Sequence, residues 1–275
     1  QTLDVGQPGE INEIFPIMTT LSNAPLIEAI FEVRWGKLSN LEREIVLEFS
    51  REEEDFLAGQ FRDSLQNKGF NFVEPILGVG LNLPHEPRNR FRKDKNQWPC
   101  YQLGLGILTV NQTNDGYDWE SFQENILLGI SVLNDVYPGG LDNLNILGTE
   151  LRYRDGFILS ESENVSSFLS SKFNLSLTLP EDILNNLKYV PNQEKYRLAY
   201  STKITDPKGD LTVAINDALI NGKKGLILDT IFRSTEKEKI ECNFDSLQTW
   251  LNAAHDIHRV VFQYMINPAY AESFK

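Results

Sequence analysis

Two histidines near the carboxyl end of the chain have a spacing that suits metal binding. His255 and His258 lie three residues apart in a segment with helical periodicity, so both side chains project from one helix face and can ligate a metal ion. Asp256 is the only nearby third ligand, and it points to another part of the helix. His258 also falls within the apolar stripe of this segment, so a hydrogen-bonded core or interface histidine is the alternative.

A second group of candidate residues is basic. Five cations surround Phe91 and are opposed only by Asp94: Arg88, Arg90, Arg92, Lys93 and Lys95. Guanidinium groups bind phosphate through a planar fork of donors, and an aromatic side chain among them can stack on a base. The predicted loop 88–95 is therefore a candidate nucleic-acid or phosphate-binding site. A solvated loop that neutralises acidic neighbours is the alternative.

Recognisable catalytic patterns are missing from the sequence. It contains no Gly-x-Ser-x-Gly motif, and neither Cys100 nor Cys242 has a neighbouring histidine. Asp229 ends an apolar run at 226–228, where burial would perturb the pKa of its carboxyl, although a strand residue facing water fits the pattern equally well. We assign no catalytic residue and no cofactor, and the sequence favours a non-enzymatic protein.

Composition limits the kinds of partner. The chain has 275 residues, 41% of them hydrophobic and 24% charged, which is ordinary for a folded protein. Its formal net charge of −13 repels nucleic acid and anionic membranes, so a protein or small-molecule partner is favoured. No apolar run reaches the roughly 20 residues that span a bilayer. Two cysteines fit a reducing compartment, and we expect a cytoplasmic protein.

The clearest strand starts at about Leu26. Pro25 restricts the residue before it to extended geometry and suits a strand entrance. From there the apolar residues alternate on one face as Ala29, Phe31, Val33 and Trp35, and the other face carries Glu28, Glu32 and Arg34 beside Ile30. This alternation is typical of a half-buried strand.

The same region carries a family resemblance. Residues 22–35, with the signature Asn-Ala-Pro-Leu-x-Glu-Ala, resemble the opening of an uncharacterised, sporadically distributed prokaryotic protein family of similar length. Residues 117–122, 151–154 and 226–229 are similar to its later blocks, with Arg154 at a position where the family has Asn. The resemblance implies a role in bacterial defence or in mobile elements. It implies no activity and no site residues.

The other predicted elements follow from periodicity, caps and turn residues. A capping box at Ser39 and a helical stripe predict a helix that ends at Gly69 and carries the acidic run 52–55 on a solvated face near its middle. Residues 82–98 are predicted to be a loop, and Asp155-Gly156 a hairpin turn. We predict further strands at 101–107, 147–154, 196–204, 211–218 and 226–232, and helices at 118–137, 165–172, 181–187 and 244–266.

These elements predict an α+β fold, in which a mostly antiparallel sheet is backed by long helices. An irregular arm at 1–20 precedes two halves, 21–145 and 146–275, which pack as one unit. Their similar element order suggests a pair of pseudo-repeats. We expect a non-enzymatic recognition or regulatory protein that acts through protein contacts in a bacterial defence or mobile-element system. The alternative is a nucleic-acid or nucleotide-processing enzyme that uses the basic loop 88–95.

Overall fold

The computed structural model describes residues 23–38, 45–46, 51–76, 83–176, 186, 195–234, 240 and 243–275. The predicted arm 1–20 and most of the predicted helix 181–187 lie outside these residues. Five helices are present in the described ranges: α1 Arg51–Gln66, α2 Trp119–Val136, α3 Val165–Lys172, α4 Phe244–Met265 and α5 Pro268–Ala271. None of these helices is long and apolar enough to cross a membrane.

Nine strands form one fully antiparallel sheet, which confirms the α+β class. The sheet order is β4-β5-β6-β7-β1-β8-β11-β10-β9, and a separate short pair consists of β2 and β3. The strands are β1 Leu26–Trp35, β2 Lys37–Leu38, β3 Ile45–Val46, β4 Phe72–Pro75, β5 Pro87–Arg92, β6 Cys100–Gly104, β7 Ile107–Thr113, β8 Ile146–Ile158, β9 Arg197–Thr205, β10 Lys208–Ile220 and β11 Lys223–Arg233.

The core lies between this sheet and the helices. Cross-strand pairing aligns one apolar row from β5 to β11, formed by Phe91, Tyr101, Val110, Phe31, Leu151 and Phe232. Phe61 of α1 packs against one end of this row, and Trp250 of α4 stacks on the other end. In α2, Gly129 lets the helix approach the row closely, because a Cβ there would lie 2.9 Å from the Tyr101 ring. The apolar face that the sequence assigns to β1 is therefore the face covered by helices.

Helix boundaries follow from side-chain caps. Asp118 accepts a hydrogen bond from the Ser121 backbone N–H at the start of α2, and Asn243 accepts one from Ser246 at the start of α4. Such caps satisfy N–H groups that the first turn leaves without partners. The predicted starts of both helices are confirmed.

The two halves of the chain meet in the middle of the sheet. In the first half the first strand, β1, pairs with the last strand, β7. In the second half β8 likewise pairs with the last strand, β11. An antiparallel ladder from Leu26 to Trp35 joins β1 to β8. Both halves therefore contribute to one continuous sheet.

Four predicted boundaries are wrong. The predicted strand 101–107 is two strands, because Leu105 and Gly106 form the turn between β6 and β7. Asp155 and Gly156 lie inside β8, because β1 and β11 supply hydrogen-bond partners on both sides of this strand. The predicted loop 82–98 contains β5, which pairs with β4 and β6. Ile45, which the helical stripe placed in the predicted helix, belongs to β3, and the described part of the helix is α1. The acidic run 52–55 lies within the described part of α1, where Glu52 and Asp55 are exposed.

Candidate functional site

A cavity of about 760 Å³ opens on the helix-covered side of the sheet. It lies where the start of β1, the turn before α2 and the middle of α4 meet above β8. Its volume is within the range of small-molecule sites, about 300 to 1,000 Å³. Its lining includes Leu26, Tyr117, Asp118, Trp119, Glu120, Tyr153, Asp155, Asn252, His255, Asp256, His258, Arg259 and Phe262.

Local periodicity explains why these side chains converge. Tyr153 and Asp155 are two residues apart in β8, so both point to the same face of the sheet. His255 and His258 are three apart in α4 and share one face of that helix. The Asp118 cap fixes the first turn of α2 and with it the position of Trp119.

A chain of hydrogen bonds crosses the floor of the cavity. The hydroxyl oxygens of Tyr117 and Tyr153 are 2.9 Å apart, and the Tyr153 hydroxyl lies 2.8 Å from Nδ1 of His255. Burial raises the pKa of both tyrosines above the usual value, so the hydroxyls keep their protons. The three groups thus hold one another in fixed orientations.

Both histidines are also held by ring stacking. The His255 ring stacks on Trp119 with centroids 4.0 Å apart, and the His258 ring stacks on Tyr153 at 3.7 Å. Burial lowers the pKa of His255 to about 4, and Arg259 acts in the same direction. Burial also lowers the pKa of His258 well below its usual value, with a smaller effect from His255. Both rings are therefore neutral near pH 7.

Asp155 is the most unusual group in the cavity. Its side chain is buried, with 3% of the residue exposed, and its Oδ2 atom has no hydrogen-bond partner among the described residues. Burial, with a smaller contribution from the charge of Asp229, raises the pKa of this carboxyl to about 7. Burying a carboxyl without a hydrogen-bond partner lowers the stability of the folded state. A purely structural residue at this position would not need a carboxyl. A perturbed pKa inside a cleft is typical of functional sites.

The structure places both predicted metal ligands at this cavity, and the described residues add no third ligand. The rings of His255 and His258 are 6.4 Å apart, and Nδ1 of His255 is already bonded to Tyr153. In the part of the chain that the structure describes, no three His, Cys, Asp or Glu side chains are grouped to hold a metal ion. Metal binding at these histidines stays a prediction.

The basic residues 88–95 lie far along the sheet from this cavity, on the strand β5 and the turn after it. Arg90 and Arg92 each approach Glu74 at 3.6 Å, and the Arg92 guanidinium also lies 4.9 Å from the centre of the Trp98 ring. Lys93 lies over the Phe70 ring. These contacts occupy the arginine head groups with protein partners. Phosphate binding by Arg88, Arg90, Arg92, Lys93 and Lys95 stays a prediction without further support.

Asp229 points to the opposite face of the sheet, away from the cavity. Arg152 and Arg154 both contact its Oδ1 atom, at 2.9 and 3.2 Å. Glu28 lies beside Arg154 and accepts a hydrogen bond from Asn111. Asp229 is thus buried and ion-paired, and the polar face of β1 belongs to this network of cross-strand contacts.

Comparison with protein-family models, with curated proteins and with solved structures found no match to this chain. The functional interpretation therefore rests on the cavity itself. Sequence analysis identified His255 and His258 but missed Tyr117, Tyr153 and Asp155. The alternation 151, 153 in β8 continues to 155 and 157, and this signal was masked by the turn-like pair Asp155-Gly156.

Proposed function

We propose that the protein is a recognition protein whose cavity binds a small organic group. The observation that carries this proposal is Asp155, a buried carboxyl with one oxygen unpaired among the described residues, on the floor of an aromatic cavity. Ligand sites combine apolar walls with a few convergent polar groups, which matches this arrangement.

The walls support binding of an apolar body. Trp119, Tyr117 and Phe262 line the cavity, and Leu26 lies at its edge. Aromatic rings provide large contact areas at little entropic cost, because the stacking against His255 and the contact between Tyr117 and Phe122 already fix them. A site that is ordered before binding loses little conformational entropy when a ligand binds.

The broader role expected from the sequence stays a proposal. We infer that the protein acts as a recognition or regulatory protein through protein contacts, and that the cavity binds a group of the partner. Support comes from the net charge of −13 and from a cavity that holds neutral histidines. A setting in bacterial defence or mobile elements, the cytoplasmic location and an origin of the two halves by duplication remain proposals. The matching order in which β1 pairs with β7 and β8 with β11 supports the duplication.

Blocking the cavity tests the proposal. Asn252 lines the cavity from α4 and is exposed, so Asn252→Trp fills space there without disturbing the core. Val260 is exposed on the same helix and does not line the cavity, so Val260→Trp is the matched control. A fragment library is screened against each protein by saturation-transfer NMR. We expect hits on the native protein and on Val260→Trp that are lost in Asn252→Trp. Equal hits on all three proteins would place binding elsewhere and refute the proposal.

A further inference from the structure

The side chains around the cavity carry an excess of negative charge. Asp118 and Glu120 lie at the start of α2, Asp256 lies on α4, and Asp155 lies on the floor. Among the described residues that line the cavity Arg259 is the only cation, and it forms an ion pair with Asp256 at 2.9 Å. The two histidines add no positive charge, because burial keeps both rings neutral. An anionic ligand would meet repulsion here.

Asp155 has no cation to neutralise it within the part of the chain described. The nearby arginines on the same strand, Arg152 and Arg154, point to the opposite face and pair with Asp229. Strand alternation forces this separation, because residues of opposite parity face opposite sides. Asp155 lines the cavity, and its buried Oδ2 atom has no donor among the described residues, so a ligand in the cavity can supply one.

A second unpaired atom lies close to the same floor. Nδ1 of His258 is buried and has no partner among the described residues. A neutral imidazole accepts a hydrogen bond at one ring nitrogen. Two buried polar atoms, one on β8 and one on α4, thus lack partners at a cavity whose walls are aromatic.

We propose that the cavity binds an organic cation, a primary ammonium group on an aromatic or aliphatic body, with its N–H donors directed at Asp155. This inference rests on the proposed function. The ammonium supplies up to three donors and the charge that the carboxylate lacks. Its body packs against Tyr117, Trp119 and Phe262, and the acids at the rim attract it from solution. A free amine and the lysine side chain of a protein partner present the same chemistry.

Three probes of one shape test the charge preference: benzylamine, benzyl alcohol and benzoate. Affinities are measured by calorimetry at about pH 8, where the Asp155 carboxyl, with its pKa of about 7, is mostly ionised. We expect benzylamine to bind at least about tenfold more tightly than benzyl alcohol, because a buried charge-assisted hydrogen bond contributes that much. Benzoate should bind most weakly. A capped lysine amide, compared with benzylamine, distinguishes the side chain of a partner from a free amine.

The variant Asp155→Asn removes the charge and keeps the shape. We expect it to lose the preference for benzylamine while its affinity for benzyl alcohol stays unchanged. Asp142→Asn is the matched control, because Asp142 is exposed and does not line the cavity. Glu120→Gln tests the rim without touching the core and should weaken benzylamine alone, by about twofold.

The outcomes separate the two proposals. If benzyl alcohol or benzoate binds as tightly as benzylamine, the cavity is a binding site but the inference of a cationic ligand is overturned. If Asp155→Asn keeps the full preference for benzylamine, the assignment of Asp155 as the group that binds the ammonium is overturned. If no probe binds and the fragment screen also gives no hit that Asn252→Trp abolishes, the proposed function itself fails.

Discussion

Replacing Asp155 with Asn should stabilise the protein at neutral and alkaline pH. The carboxyl is buried, with 3% of the residue exposed, and burial raises its pKa from 3.8 to about 7. Between these two values the folded state holds a proton that the unfolded state has released. Stability therefore falls as pH rises from about 4 to about 7, and the full cost remains above that range.

The magnitude follows from the size of the shift. Roughly three pKa units at 1.36 kcal/mol each give an upper limit of about 4 kcal/mol. Asn cannot ionise, but its amide also lacks a partner in this site. We therefore expect Asp155→Asn to exceed the native protein in free energy of unfolding by about 2 to 4 kcal/mol above pH 8, with a difference near zero at about pH 4.

Equilibrium urea denaturation at several pH values measures this difference. His255 acts in the opposite direction, because its lowered pKa makes stability rise with pH between about 4 and 6.5. The pKa of His258 is also lowered by burial, so this residue acts in the same direction as His255. Since both proteins contain these histidines, subtracting the two curves isolates Asp155. Asp142→Asn, at an exposed site, should give no such difference. A constant gap at all pH values, or a less stable Asp155→Asn above pH 8, would refute the argument.

Two further substitutions test packing and the hydrogen-bond chain. Gly129→Ala should destabilise the fold by about 1 to 3 kcal/mol, because its Cβ would lie 2.9 Å from the ring of Tyr101. Gly59→Ala in α1, where a Cβ meets nothing within 4 Å, should be neutral or stabilising by up to about 1 kcal/mol. Tyr153→Phe should cost about 1 to 2 kcal/mol, because it leaves a buried histidine nitrogen unpaired. Tyr264→Phe, at an exposed site on α4, should change nothing. Urea denaturation measures all four, and equal values within either pair would contradict the structure.

The parts of the fold that the sequence predicted are those with strong local signals. The alternation in 26–35 located β1, and Asp118 located the start of α2. Two wrong predictions arose where tertiary pairing outweighs local preference. Asp-Gly favours a tight turn, but β8 continues through Asp155-Gly156 because it lies in the middle of the sheet with partners on both sides. Pro87 starts a strand whose pairing partners lie in β4 and β6.

The candidate site was predicted only in part, for a related reason. His255 and His258 share one helix face, so their proximity is visible in the sequence. Tyr153 contacts them, and Asp155 lines the same cavity, only because of how α4 packs across β8. That packing depends on contacts about 100 residues apart in the chain. No local pattern encodes such a contact.

The position of the cavity relative to the central ladder has a consequence for how an occupant would act. Leu26, Tyr117 and Trp119 come from the first half of the chain, whereas Asp155 and the two histidines come from the second half. The same two halves are joined by the ladder between β1 and β8. A bound molecule would thus contact both halves at once and stabilise their association. If the protein were produced as two separate polypeptides cut between α2 and β8, the occupant would favour their reassembly, and neither fragment would hold it alone.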